Sequence, residues 1–210
     1  IGAEYPDIEQ NHIIIDIGAA KVASAPDMFD VIVLPNLYGD IVSDIAAEVT
    51  GSVGLGGSSN VGMDFAMFEA VHGSAPDIAG QGIANPSGLL LGSVMMLNHI
   101  GQNDVAQNIH NAWLKTIEDG IHTGEIYREG VSSERVGTEA FANAVIDRLG
   151  NVPSILPPVE YDQSSGGIIL PELKVVPPEV RERIGVDLGI NWSGTADELA
   201  DKVLACVNDN

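Results

Sequence analysis

Cysteine is almost absent from this chain: Cys206 is the single one among 210 residues. An internal disulfide is therefore excluded, and a reducing, cytoplasmic setting is expected. Positive charge is scarce too, with four Lys and five Arg against 30 acidic residues and a formal net charge of -21. Nucleic acid and anionic membrane surfaces are recognised through Lys and Arg contacts to phosphate, so neither is an expected partner. No apolar run approaches the roughly 20 residues of a bilayer span; the most apolar stretch, Gly88 to Leu97, reads as a buried helix. No secretory leader pattern opens the sequence, which begins with Ile1 inside what reads as the end of a helix. A C-terminal fragment of a longer protein is the expectation.

What the chain does have is enough apolar content, 45% with a mean hydropathy of +0.15, to bury a core. The β-branched runs His12 to Ile17 and Asp30 to Leu34 predict strands, separated by a helical stretch from Ala19 to Ala25 and the breaker Pro26. Ile41, Val42, Ile45, Ala46 and Val49 recur at helical spacing after Gly39. Gly51 to Gly62 is too rich in glycine for a helix or a central strand and reads as loop. Phe65 to Ala70 predicts a short strand, and helices follow over Leu89 to Ile100, Val105 to Ile117 and Thr138 to Leu149, with Thr138 as N-cap. This order is that of an α/β fold.

Six of the eleven prolines fall between Pro153 and Pro178, marking residues 151–183 as an extended connector with a Ser164-Ser165-Gly166-Gly167 hinge. Residues 1–150 then form the main domain and 184–210 an appended β-α segment. In that segment Ile184 to Ile190 is strand-like, and Thr195-Ala196-Asp197-Glu198 has capping-box spacing.

Chemistry concentrates in Asn36-Leu37-Tyr38-Gly39-Asp40-Ile41-Val42-Ser43-Asp44. Asp40 and Asp44 lie one helical turn apart, where like charges repel by roughly 0.2–0.5 kcal/mol. A divalent cation would reverse that cost, and two hard oxygen ligands suit Mg²⁺ or Mn²⁺ better than zinc. A solvated acidic face continued by Glu48 accounts for the same spacing. Val53-Gly54-Leu55-Gly56-Gly57 lacks the βαβ context of a dinucleotide fingerprint.

Beyond single motifs, residues 5–150 resemble the C-terminal half of a β-decarboxylating dehydrogenase, the family of isocitrate and 3-isopropylmalate dehydrogenases. The resemblance is carried by Tyr5-Pro6-Asp7-Ile8, Asp16, the Asn36 to Asp44 segment, Phe68-Glu69-Ala70-Val71-His72-Gly73-Ser74-Ala75-Pro76-Asp77-Ile78-Ala79-Gly80 and Ala84-Asn85-Pro86. It implies an isocitrate/isopropylmalate dehydrogenase-like fold. It also implies a Mg²⁺ or Mn²⁺ site in which Asp40 and Asp44 are joined by Asp16 from the neighbouring subunit, hence a homodimer or higher homo-oligomer with shared active sites. Without the resemblance, Asp16 reads as a helix N-cap.

The resemblance further assigns Gly54, His72, Gly73, Ala75 and Asn85 to the adenosine side of a nicotinamide cofactor. Asp77-Ile78 stands where NADP-using relatives carry Lys-Tyr. A carboxylate accepts ribose hydroxyls but repels a 2′-phosphate, so NAD is expected. Tyr38, Asn60-Val61-Gly62 and Ala70 are closer to the isocitrate than to the isopropylmalate enzymes, which makes isocitrate the expected substrate. 3-Isopropylmalate or another 2-hydroxy acid is the alternative, and a noncatalytic regulatory nucleotide-binding subunit is the alternative of another class. The family's catalytic Lys and Tyr and its substrate-binding arginines fall in parts of the sequence not present here.

Overall fold

The computed structural model describes residues 4–162, 177, 180, 182, 184 and 189–208 and divides into two compact units, residues 1–171 and 172–210. In the first unit, α1 (Ile15–Ser24) is followed by a 3-10 turn at Pro26–Met28 and by α2 (Asn36–Thr50). The antiparallel hairpin β1 (Gly57–Val61) and β2 (Ala66–Ala70) comes next, with Gly57 opposite Ala70 and Val61 opposite Ala66. Two long helices follow, α3 (Ser87–His99) and α4 (Asn103–Glu118), with Gly101 between them at φ +77°. Then β3 (Ile121–Thr123) pairs in parallel with β4 (Glu134–Val136), and α5 (Thr138–Ile146) closes the series.

The core sits where α4 meets α5. Ala112, Phe141 and Val145 are buried there, flanked by Leu90, Trp113, Ile117 and Val136. α3 lies between this core and the hairpin, packing on α4 along one side and on β1 and β2 along the other. Glycine makes the hairpin contact close: a Cβ at Gly92 would stand 2.9 Å from the Glu69 carbonyl oxygen, and one at Gly57 2.8 Å from the Gly92 nitrogen. Those distances leave no room for a side chain. The glycine-rich stretch expected to be loop is thus partly strand, because its glycines serve helix-on-strand approach.

Two predicted strands are corrected. Residues 15–17 begin α1 rather than ending a strand, and residues 31–35 are in neither helix nor strand, with Val31 83% and Val33 90% exposed. A β-branched run forms a ladder only beside another strand, and the described residues offer these two runs no partner. α2 starts at Asn36, so Gly39 lies inside the helix, with its N–H donating to Pro35 O at 2.8 Å. Thr138 is the first residue of α5 rather than its cap, and its hydroxyl donates to Ala84 O.

In the second unit, α6 (Ala196–Asn208) carries the expected capping box. Thr195 N donates to Glu198 Oε2 at 2.9 Å and Glu198 N to Thr195 Oγ1 at 3.4 Å, so the two residues satisfy one another's amides. The Ser164 to Gly167 hinge, and most of the strand expected over 184–190, lie outside the described residues.

Candidate functional site

The loop between β2 and α3 gathers most of the residues singled out for the cofactor. His72, Gly73, Ala75 and Asp77 are exposed along it and Ile78 is half-buried. His72 Nδ1 stands 2.8 Å from Gly73 O; a carbonyl only accepts, so Nδ1 carries the proton and a neutral ring leaves Nε2 as an acceptor. Ala75 has φ +40°, the one positive-φ residue other than glycine among the described residues. A Cβ makes that conformation costly by about 1–3 kcal/mol, and such outliers cluster where a loop is shaped for a ligand. Turn bonds from Ile78 N to Ala75 O and from Gln81 Nε2 to Asp77 O hold the following residues. Among the described residues no cation pairs with the Asp77 carboxylate.

Asn85 closes the loop at the start of α3. Its Oδ1 accepts from Ser87 N at 3.0 Å, satisfying one of the orphan donors of the helix end. Its Nδ2 is buried, the residue being only 6% exposed, and has no hydrogen-bond partner among the described residues. Leaving a donor in that state costs about 1–3 kcal/mol. Next to it, a Cβ at Gly54 would lie 3.1 Å from Asn85 Cβ, 3.2 Å from Ser52 Oγ and 3.7 Å from Glu125 Oε1. A bare glycine beside an unpaired amide donor and a carboxylate fits the edge of a nucleotide base.

Glu125 is a residue that sequence reasoning missed. Thr123, fully buried, donates to its Oε1 at 2.9 Å and fixes it. The same carboxylate lines a cavity of about 270 Å³ with Trp113, Ile117, His122 and Arg128. There His122 Nε2 stands 3.1 Å from Ile117 O and Nδ1 2.7 Å from Ser132 Oγ, which in turn accepts from Arg128 N. The available signal was composition alone: His122 on β3, with Glu125 and Arg128 in the loop that follows it. Arg128 is the loop's cation on the cavity wall.

The three aspartates divide. Asp40 and Asp44 lie one turn apart on α2, both exposed, and among the described residues neither carboxylate has a cationic partner. Two unneutralised hard-oxygen ligands on one helix face fit a divalent cation. Asp16 lies in the first turn of α1, where its Oδ1 accepts from Ile17 N at 2.6 Å. α1 packs on α2, yet among the described residues no three potential ligands gather within one chain.

An α/β arrangement with a glycine-lined loop and a paired-carboxylate helix describes the site, and comparison with known proteins gives the family. The model of the isocitrate/isopropylmalate dehydrogenase family matches residues 1–145. A Rickettsia felis protein named isocitrate dehydrogenase [NADP] is 54% identical over 97% of this chain and 42% of its own length. An Arabidopsis thaliana mitochondrial protein named catalytic subunit 6 of isocitrate dehydrogenase [NAD] is 45% identical over 71% of this chain and 39% of its own. The crystal structure of isocitrate dehydrogenase from Methylococcus capsulatus superposes with a TM-score of 0.67 at 44% identity, covering 70% of this chain and 43% of that one. The chain belongs to the isocitrate/isopropylmalate dehydrogenase family. It spans less than half the length of these relatives.

Proposed function

We propose that the protein carrying this chain oxidatively decarboxylates isocitrate, with a divalent cation and NAD. The observation that carries the reading is the Asp40 and Asp44 pair, two exposed carboxylates on one turn with no cationic partner among the described residues. Asp16 of a second subunit completes that site in this reading, which makes the active unit a homodimer or larger homo-oligomer. Bound there, Mg²⁺ or Mn²⁺ supplies Lewis-acid polarisation to the hydroxy acid, while NAD accepts the hydride. The chain's own contribution is positional. Gly54 leaves space at the base, Asn85 Nδ2 and His72 Nε2 offer a donor and an acceptor, and the Ala75 turn presents Asp77 to the adenosine ribose.

Asp77 supports NAD, since a 2′-phosphate brought to it meets like charge. A second reading, NADP, is favoured by the cofactor named for the Rickettsia felis relative and by Arg128 on the nearby cavity wall. Kinetics of the full-length protein with Mn²⁺, isocitrate and each cofactor separate the two. The expected result is a preference for NAD that Asp77→Lys with Ile78→Tyr shifts toward NADP by about 2–3 kcal/mol in kcat/KM, the scale of exchanging one charged partner. Wild-type preference for NADP overturns the cofactor, and turnover of 3-isopropylmalate in place of isocitrate overturns the substrate.

A further inference from the structure

α4 carries a polar stripe, Asn103, Gln107, Asn111 and Glu118, that neither the core nor the nucleotide cradle uses. Spacings of four, four and seven put all of them on one helix face. A stripe of this kind normally faces water, yet Asn103 is 2% and Asn111 4% exposed. What covers them is the stretch after α5. Glu118 accepts from the main-chain N–H groups of Ser154, Ile155 and Leu156 at 2.8, 2.5 and 3.0 Å. Asn111 takes Val159 from both sides, Oδ1 accepting from its N and Nδ2 donating to its O, each at 2.9 Å. Gln107 Oε1 accepts from Tyr161 N at 2.9 Å and Asn103 Nδ2 donates to Asp162 O at 2.7 Å.

The register has a simple geometric cause. From Glu118 back to Asn103 the helix advances about 22 Å at 1.5 Å per residue. From Ile155 to Asp162 an extended chain advances about 23 Å at 3.3 Å per residue. An antiparallel strap therefore meets one side-chain amide or carboxylate per helical turn. Pro157 and Pro158 offer no N–H, and the stripe position between Asn111 and Glu118 is the apolar Leu114. The recognised atoms are mostly main chain, joined by Ser154 Oγ, which donates to Glu118 Oε1 at 2.9 Å, and by Tyr161 Oη, 2.8 Å from His110 Nδ1, while Ile155 is 83% exposed.

We infer that this face of α4 is a receptor for extended polypeptide that reads mainly backbone spacing. Its occupant is residues 154–162 of the same chain, docked as one cooperative unit that opens below the stability of the Ala112, Phe141 and Val145 core. Opening trades these bonds for ones to water and uncovers the half-buried Leu156, Val159 and Tyr161, whereas opening the core uncovers the fully buried Ala112 and Phe141, so the strap opens at lower cost than the core.

Hydrogen exchange on the full-length protein, resolved by residue, tests this. In the wild type the amides of residues 154, 155, 156, 159 and 161 exchange with a common protection lower than that of the α4 and α5 core amides. Asn111→Leu keeps the volume and removes both bonds to Val159, and it lowers the protection of all five amides together by roughly 10–100-fold. Gln107→Ala, at a part-buried position, does the same more weakly and serves if the first variant does not fold. Ile155→Ala with Val159→Ala changes strap protection by less than about threefold. Release of residue 159 alone in Asn111→Leu overturns the cooperative strap, protection equal to the core overturns its separate opening, and strap loss in the Ile155/Val159 variant overturns backbone reading.

Discussion

Replacing Gly88 by Ala tests whether the start of α3, beside Gly54 and Asn85, is held by backbone contact. Gly88 is the second residue of α3 and is buried. A Cβ there would lie 2.7 Å from Gly56 O, 3.2 Å from Gly54 O and 3.1 Å from Ala70 Cβ. Two of the three obstacles are main-chain atoms, so no rotamer change clears them, and such overpacking costs about 1–3 kcal/mol. Ala gains up to about 1 kcal/mol over Gly in helix propensity, less in a first turn than in a helix interior. The steric cost wins, leaving a net loss of about 1–2 kcal/mol, or roughly 3–6 °C in Tm for a chain of this size. Gly39→Ala is the matched control, since it lies inside α2 with nothing within 4 Å of its added Cβ and should stabilise by about 0.5–1 kcal/mol. Urea and thermal melts followed by circular dichroism read both. A Gly88→Ala protein as stable as the wild type, or a Gly39→Ala protein that loses stability, refutes the packing argument.

Two further expectations concern charge. Burial lowers the pKa of His110, whose Nδ1 stands 2.8 Å from Tyr161 Oη and whose ring packs against Trp113. A folded-state value below the unfolded one of about 6.5 means that the unfolded chain binds the proton first, so His110's contribution is complete above that pH and falls away below it. Urea melts between pH 7.5 and 5 should show a steeper loss in wild type than in His110→Gln, and parallel curves would remove His110 from the account. For the proposed metal site, Asp16→Asn and Asp44→Asn full-length proteins, each inactive alone, should regain activity when mixed under subunit exchange, because one site of a hybrid dimer would keep wild-type ligands on both sides. Confirmed hybrids without activity would show that Asp16 is not shared.

Helices were readable in the sequence where burial follows one periodicity. α3, α4 and α5 lie within two or three residues of their predicted bounds because Leu90 and Val94, and Phe141 and Val145, recur at helical spacing, and Leu90, Ala112, Phe141 and Val145 pack together. Strands were less readable, because a ladder is a property of two segments. Residues 12–17 and 30–34 have strand composition without a described partner, whereas Gly57–Val61 has loop composition and pairs with Ala66–Ala70. The Asp40 and Asp44 pair could be read from spacing, while Asp16, inside a run whose composition predicts strand, lies in a helix. The positive φ of Ala75, the unpaired Nδ2 of Asn85 and the approach of Glu125 to Gly54 are tertiary facts with no local signature.

α3 and α4 show two opposite ways for a helix to hold an irregular segment, and the difference bears on where this protein can move. α3 presents Gly88 and Gly92, so the main chain of Gly54, Gly56 and Glu69 lies directly on the helix. That contact is close-packed along its length, so the cradle beside Asn85 cannot shift without displacing α3 itself. α4 instead holds its segment through Asn103, Gln107, Asn111 and Glu118, one hydrogen-bonding side chain at a time, and water can replace each of those bonds at small net cost. Ser87 ties the rigid end inward, its hydroxyl accepting from Trp113 Nε1 at 2.8 Å across the α3 and α4 interface. A pre-formed nucleotide cradle needs fixed atoms, since ordering them on binding would subtract from affinity. Glycine contact at the cradle and amide contact at the strap thus give adjoining parts of one helix pair different stabilities, with the stiffer part where the ligand is proposed to bind.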